Sequence, residues 1–151
     1  MMLKTHLAIT CFLVLLLLPF ISDKIIFVVV ALIITYIPDI DTESSKVGKK
    51  KVFRLVQLFT KHRGFFHSFT FLLLMTIILV LFFPILALGF FVGYSSHLIA
   101  DSFTIQGITP FFPWKKKSTG MIRTGSKTES FIFLIFLIAD LLLTFRNILI
   151  I

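Results

Sequence analysis

The sequence predicts an all-α fold, a polytopic membrane bundle of about five transmembrane helices arranged in hairpins, with residues 1–151 forming one domain. Hydrophobic residues make up 58% of the chain, and the mean hydropathy is +1.05. A soluble domain of this size could not bury so much apolar surface. The apolar residues also form long runs separated by polar turns, as is typical of helical membrane proteins.

The first two predicted helices form a hairpin. Their apolar runs cover residues 7–21 and 25–37, and a polar turn from Ser22 to Lys24 separates them. No small-x-small cleavage site follows the first run, so we expect a retained membrane helix and not a signal peptide. Pro38 ends the second run.

The remaining apolar residues predict three further helices. Residues 65–100 would span ~54 Å as one helix, against a hydrocarbon core of ~30 Å, so the chain must reverse. Pro84 is the strong helix breaker near the middle of this stretch, and we place the reversal there. Residues 131–151 give the fifth helix. Between the hairpins, apolar residues among the basic side chains of residues 43–64 predict a short amphipathic helix on the membrane surface.

The basic residues predict the orientation. Of the 15 Lys and Arg, 13 lie in residues 1–5, 39–68 and 102–128, and only Lys24 and Arg146 lie elsewhere. The positive-inside rule therefore predicts a protein of the cytoplasmic membrane, with its N-terminus on the cytoplasmic side and its C-terminus on the opposite side. The net charge of +8 favours anionic membrane lipid as a partner, and we rank nucleic acid well below lipid.

A four-residue repeat marks the candidate site. Gly89, Gly93, His97 and Asp101 would form one stripe on a helix. The two glycines would let another helix approach closely. An imidazole and a carboxylate one turn apart suit a divalent metal, and they equally suit a packing face on which they bond each other.

Other polar residues should join this stripe, because both hairpins return to one level of the membrane. Two histidines and two carboxylates from different helix ends would form a first coordination shell for zinc, with manganese or iron as alternatives. We expect one or two ions. The candidates at the cytoplasmic end are His6, Asp39, Asp41, His62, His67, His97 and Asp101.

The motif series resembles a known family. The chain is similar to the YdjM-like membrane-bound metal-dependent hydrolases, described as LexA-binding inner-membrane-associated proteins. The matching elements are Thr5-His6, Pro38-Asp39-Ile40-Asp41, His62 through Ser68, His97 through Asp101, and Thr104 through Gly107 to Thr109-Pro110. That family in turn resembles zinc-dependent phospholipases C, although the absence of a histidine after His97 argues against a three-zinc cluster.

The resemblance implies hydrolysis of an ester or phosphoester in a lipid-like substrate at the cytoplasmic interface. His67, His97, Asp101 and Asp39 are then the leading metal ligands. His6 and Asp41 are candidates for a second metal or for supporting contacts. His62 would shuttle protons, and Arg63 would hold a phosphate.

A different class of function remains open. The basic loops of a non-catalytic membrane protein would dock anionic lipid or a cytoplasmic partner, and the His-Asp cluster would only hold helices together. Other membrane hydrolases fit less well, because the sequence contains neither H-E-x-x-H nor G-x-S-x-G.

The acidic residues outside the candidate site receive simpler explanations. Asp23, Glu43 and Glu129 fall in turns or loops and need no special role. Asp140 interrupts the last apolar run, where an ionised carboxylate is costly. We expect it to form a packing hydrogen bond with a hydroxyl on a neighbouring helix, in preference to a transport or catalytic role.

The orientation can be tested by cysteine labelling. With 13 of the 15 basic residues assigned to the inside, cysteines at positions Lys50 and Lys116 should react only from the cytoplasmic side. A cysteine at position Asp23 should react only from the opposite side. Equal labelling of Asp23 and Lys50 positions from outside the cell would contradict the assignment.

Overall fold

The computed structural model describes residues 1–41 and 65–150, and these residues form five α-helices. The predicted all-helical fold class is therefore confirmed. The amphipathic helix expected over residues 43–64, with His62 and Arg63, lies outside the described residues, as does the side chain of Asp41. The helices are α1 (Leu3–Leu17), α2 (Lys24–Ile34), α3 (Phe69–Phe82), α4 (Pro84–Ser102) and α5 (Lys127–Ile150).

Within residues 1–41 and 65–150, three segments are long and apolar enough to cross a membrane: Leu3–Phe20, Pro84–Ser102 and Lys127–Leu149. The other two helices are shorter. With 11 residues in α2 and 14 in α3, they rise only ~16 and ~21 Å, less than the ~30 Å hydrocarbon core. The described residues thus contain three full-length spans and two shorter apolar helices.

Helix α4 is the centre of the bundle. It packs against α1, α2 and α3, while α5 packs against α1 at the periphery. About 67% of the residues in the α4 span are buried, compared with 6% in the α5 span. Since α5 carries its apolar residues on an open face, that face suits contact with lipid.

The reversal between α3 and α4 occurs at the predicted position. Helix α3 ends at Phe82, Phe83 alone connects the two helices, and Pro84 begins α4. Proline is well suited to this first helical position, because its missing N–H would have no partner within the helix. The breaker read from the sequence therefore marks the tip of the second hairpin.

The glycine stripe of α4 lies against another helix, as its spacing predicted, and that helix is α2. A Cβ atom added at Gly93 would lie 2.2 Å from the carbonyl oxygen of Ala31. A Cβ at Gly89 would lie 2.9 Å from the Cβ of Val30. No real Cβ occupies such positions, so the two backbones approach closely only because these side chains are absent.

The segment between α4 and α5 folds back over one end of the bundle. Backbone hydrogen bonds join Ile108 and Ser118 in both directions at 2.9 Å, and the amide of Ile105 donates to Ile122 at 3.0 Å. The amide of Phe69, at the start of α3, donates to the carbonyl oxygen of Pro110 at 2.8 Å. The segment is therefore attached to the end at which α3 begins and α4 ends.

The contact between α2 and α4 generates a stability prediction. Gly93→Ala should destabilise the protein by about 1–3 kcal/mol, the usual range for overpacking, because the added methyl group meets backbone and not a flexible side chain. Thermal unfolding of the detergent-solubilised protein measures the effect. Leu88→Ala, at an exposed position of the same helix, is the matched control. Equal melting temperatures for Gly93→Ala and the wild-type protein would contradict the close approach.

Candidate metal centre

Five of the candidate side chains lie together at one end of the bundle. His6 belongs to the start of α1, Asp39 follows α2, His67 precedes α3, and His97 and Asp101 lie near the end of α4. All three histidines and Asp101 are at most 1% exposed. Two groups, each with ligand atoms within 4.8 Å of one another, share His97.

The first group consists of Asp39, His67 and His97. The Oδ1 atom of Asp39 lies 3.7 Å from Nε2 of His97 and 4.0 Å from Nε2 of His67. Ligand atoms around a tetrahedral ion with bonds of 2.0–2.1 Å are separated by ~3.3 Å. A contraction of less than 1 Å would bring these two distances to that value, and all three ligand atoms lie within 4.8 Å of one another.

The second group consists of His6, His97 and Asp101. Nε2 of His6 lies 3.3 Å from Oδ1 of Asp101, and the same oxygen accepts a hydrogen bond from the ammonium group of Met1. The rings of His6 and His97 are stacked, with centroids 3.9 Å apart. This group is thus held together by the contact between His6 and Asp101 and by the stacked rings of His6 and His97.

The orientation of His97 is determined by a hydrogen bond to the backbone of α2. Nδ1 of His97 lies 2.9 Å from the carbonyl oxygen of Thr35, and a carbonyl oxygen can only accept. Nδ1 is therefore the protonated nitrogen, and in the neutral ring Nε2 carries a lone pair. That buried Nε2 has no hydrogen-bond partner among the described residues. This is the arrangement in which histidines usually bind metals.

Buried hydroxyl groups also join α2 to α4 near the bond between His97 and Thr35. The hydroxyl oxygen of Thr10 lies 2.9 Å from that of Thr35 and 2.7 Å from that of Ser96, which connects α1, α2 and α4. Thr35 also donates to the carbonyl oxygen of Ala31 at 2.8 Å. Neither Thr10 nor Thr35 belongs to a motif predicted from the sequence, although a hydroxyl inside an apolar helix is itself a signal of a buried hydrogen bond.

The position of His67 depends on two neighbouring polar contacts. The hydroxyl of Tyr94 in α4 donates to the carbonyl oxygen of Phe66 at 2.6 Å. Ser68 caps α3, since its side chain accepts from the amide of Phe71 at 3.2 Å and donates to the carbonyl oxygen of Phe65. These bonds fix the short 3-10 helix (Phe65–His67) that carries His67 directly before α3.

The donor set fits a divalent metal. Burial raises the pKa of the Asp39 carboxyl, because a charged carboxylate is poorly solvated there, and nearby His6 and His67 oppose the shift. A cation bound beside Asp39 would offset that cost. Two imidazoles and one carboxylate are the ligands that zinc and related metals accept.

Two acidic residues outside this cluster behave differently from expectation. Glu129 is not a simple loop residue, because its side chain is fully buried. Its two carboxylate oxygens accept hydrogen bonds from the amides of Met2 at 2.5 Å and Gly125 at 2.6 Å. Asp140 forms no packing bond through Oδ1, which is buried without a hydrogen-bond partner in the described part of the chain. Asp23 is exposed, in agreement with its ordinary role in a turn.

The fold and the cluster define a helical membrane protein with buried histidines and carboxylates at one end of its bundle. The family model for the YdjM inner membrane protein matches residues 1–150, so the chain belongs to that family.

Part of this chain is also similar to part of a bacterial protein. The uncharacterized protein YvsG of Bacillus subtilis (strain 168) is 34% identical over 102 residues, which cover 64% of this chain and 64% of that protein. The match thus spans less than two thirds of the relative. No solved structure matches the chain.

The role of Glu129 can be tested by a charge-removing substitution. Glu129→Gln should destabilise the protein by about 2 kcal/mol, because the amide group of glutamine would face a backbone N–H donor in place of an acceptor oxygen. Thermal unfolding in detergent measures the loss, and Asp23→Asn at the exposed turn is the matched control. If both variants melted like the wild type, the buried contacts of Glu129 would contribute nothing to stability.

Proposed function

We propose that the protein is a membrane-embedded, metal-dependent hydrolase that acts on an ester or phosphoester of a lipid-like substrate at the cytoplasmic interface. The observation that carries the proposal is the buried Nε2 of His97, held towards Asp39 by the bond between Nδ1 and Thr35. In a histidine fixed only for packing, this buried nitrogen would lack a partner, at a cost of about 1–3 kcal/mol. One divalent ion, with zinc as the first choice, would bind to Asp39, His67 and His97.

The chemistry follows from the donor set. A divalent ion supplies a Lewis acid and a source of nucleophile at neutral pH, which suits hydrolysis of esters and phosphoesters. The chain itself holds the ligands in place, through Thr35 for His97 and through the capped turn for His67. The buried histidines also exclude bulk water from most of the site.

Access to the site favours a substrate that comes from the membrane surface. The side chain of Asp39 is 20% exposed, whereas the side chains of His67 and His97 are fully buried, so a substrate would approach along Asp39. Asp39 lies beyond the end of α2, where the apolar chain stops. An ester or phosphate group at the head of a lipid would reach this level.

The remaining candidates receive supporting roles in this proposal. Asp101 and His6 form the adjoining group, which would hold a second ion or position His97 through the stacked ring. Asp41, His62 and Arg63 keep the roles predicted from the sequence: a second-site ligand, a proton shuttle and a phosphate-binding cation. The described residues do not include the side chains of these three.

Metal analysis tests the site. The purified, detergent-solubilised protein should contain about one equivalent of a transition metal, and Asp39→Asn and His67→Gln should each lower metal affinity at least about tenfold, because each removes a ligand. Asp140→Asn is the matched control, since it neutralises a carboxylate in α5 away from the cluster and should retain the metal. Measurement is by elemental mass spectrometry after dialysis against a weak chelator.

Hydrolysis is measured on the same variants with chromogenic p-nitrophenyl carboxylesters and phosphodiesters. Activity should follow metal content and disappear with a strong chelator, then return when the metal is restored. A folded protein that binds no transition metal would contradict the site. Bound metal without turnover of either substrate class would favour the non-catalytic alternative instead.

A further inference from the structure

The segment between α4 and α5 presents aromatic and basic side chains at one point of the surface. Pro110, Phe111, Trp114, Lys116, Lys117 and Ser118 line a surface cavity of about 310 Å³. Trp114 is 73% exposed and Phe111 is 54% exposed. In water, such large exposed apolar side chains would be unfavourable, so their position relative to the membrane matters.

The cavity lies at the level where the chain enters the membrane. The amide of Phe69 donates to Pro110 at 2.8 Å, and the hydroxyl of Thr70 donates to Phe112 at 3.0 Å, so this segment is attached to the first turn of α3. The outer residues of α3, which begin one turn later with Leu73 at 52% exposed, suit lipid contact. Tryptophan and phenylalanine beside the first turn of such a helix occupy the interfacial level that aromatic residues prefer.

The charge of the segment selects the ligand. Residues 102–128 contain five basic residues and no acidic residue, and three of the basic residues are consecutive at Lys115, Lys116 and Lys117. The paired backbone bonds between Ile108 and Ser118 close the loop that carries them, so the lysines are presented at a fixed place. Lysine side chains at this level place their ammonium groups among lipid headgroups.

We propose that this cavity is a binding site for the headgroup of an anionic phospholipid in the surrounding leaflet. Lys116 and Lys117 bind the phosphate, and Phe111 and Trp114 pack against the upper part of the acyl chains. The inference rests on the loop and its attachment to α3, and it does not depend on metal binding or hydrolysis.

The sole tryptophan of the chain provides the measurement. Phospholipids with dibrominated acyl chains quench tryptophan fluorescence on contact, so quenching of Trp114 reports which lipid occupies the cavity. The full-length protein is reconstituted into bilayers that contain dibrominated phosphatidylglycerol in phosphatidylcholine, or the reverse. We expect phosphatidylglycerol to be preferred at least about fivefold, the contribution of one lysine near an anionic surface.

Two double variants test the assignment to this loop. Lys116→Gln/Lys117→Gln should bring the preference to within about twofold of parity, because it removes the phosphate-binding cations. The matched control Lys24→Gln/Arg146→Gln removes two exposed charges at the other end of the bundle and should leave the preference unchanged. Far-ultraviolet circular dichroism confirms that both variants retain their helices.

Three results would overturn the proposal. Equal quenching by the two lipids in the wild-type protein would show that the cavity does not select anionic headgroups. An equal loss in both double variants would show a general charge effect. Loss of the preference on addition of millimolar inorganic phosphate, at constant ionic strength, would assign the cavity to free phosphate instead of lipid. Since no hydrolysis is measured, these results are distinct from failure of the proposed function.

Discussion

The close contact between α2 and α4 is the constraint on which the rest of the structure depends. The two helices run in the same direction. Gly93 of α4 lies against Ala31 of α2, and one turn later His97 lies against Thr35 at the end of α2. Without a side chain at Gly93, the backbone of α2 comes near enough for the Thr35 carbonyl to accept from the imidazole. The chain then continues from Thr35 into a short 3-10 helix (Ile37–Asp41), in which Oδ1 of Asp39 lies 3.7 Å from Nε2 of His97. Packing in the apolar part of the bundle thus sets the geometry of the polar end.

Much of this architecture could be predicted from the sequence, because membrane helices leave clear patterns of long apolar runs, helix breakers and small-residue spacing. Long apolar runs and Pro84 located the helices and the second reversal, and the four-residue spacing from Gly89 to Asp101 identified the face that packs against α2. The convergence of His6, Asp39, His67, His97 and Asp101 could be predicted because hairpins return polar residues to one level. Prediction from the sequence did not separate full spans from shorter helices, since apolar runs show composition and not where a helix ends.

Other features depend on contacts between residues distant in the chain, and local patterns do not reveal these. Glu129 looked like a loop residue at a helix start, yet the fold buries it against the amides of Met2 and Gly125. The division of the cluster into two groups that share His97 also arises from tertiary packing, as does the pairing of Asp101 with the ammonium of Met1. Asp140 was expected to form a packing hydrogen bond, but its buried Oδ1 atom has no hydrogen-bond partner among the described residues.

The central claim is that Asp39, His67 and His97 bind one divalent ion through the geometry that α2 and α4 impose. X-ray absorption spectroscopy at the edge of the bound metal, on the purified full-length protein, tests it most directly. The proposal predicts a first shell of nitrogen and oxygen atoms at about 2.0–2.1 Å, with the outer-shell scattering of two or more imidazole rings, and no sulfur. A first shell that contains sulfur, or one made of water oxygens without imidazole scattering, would contradict it.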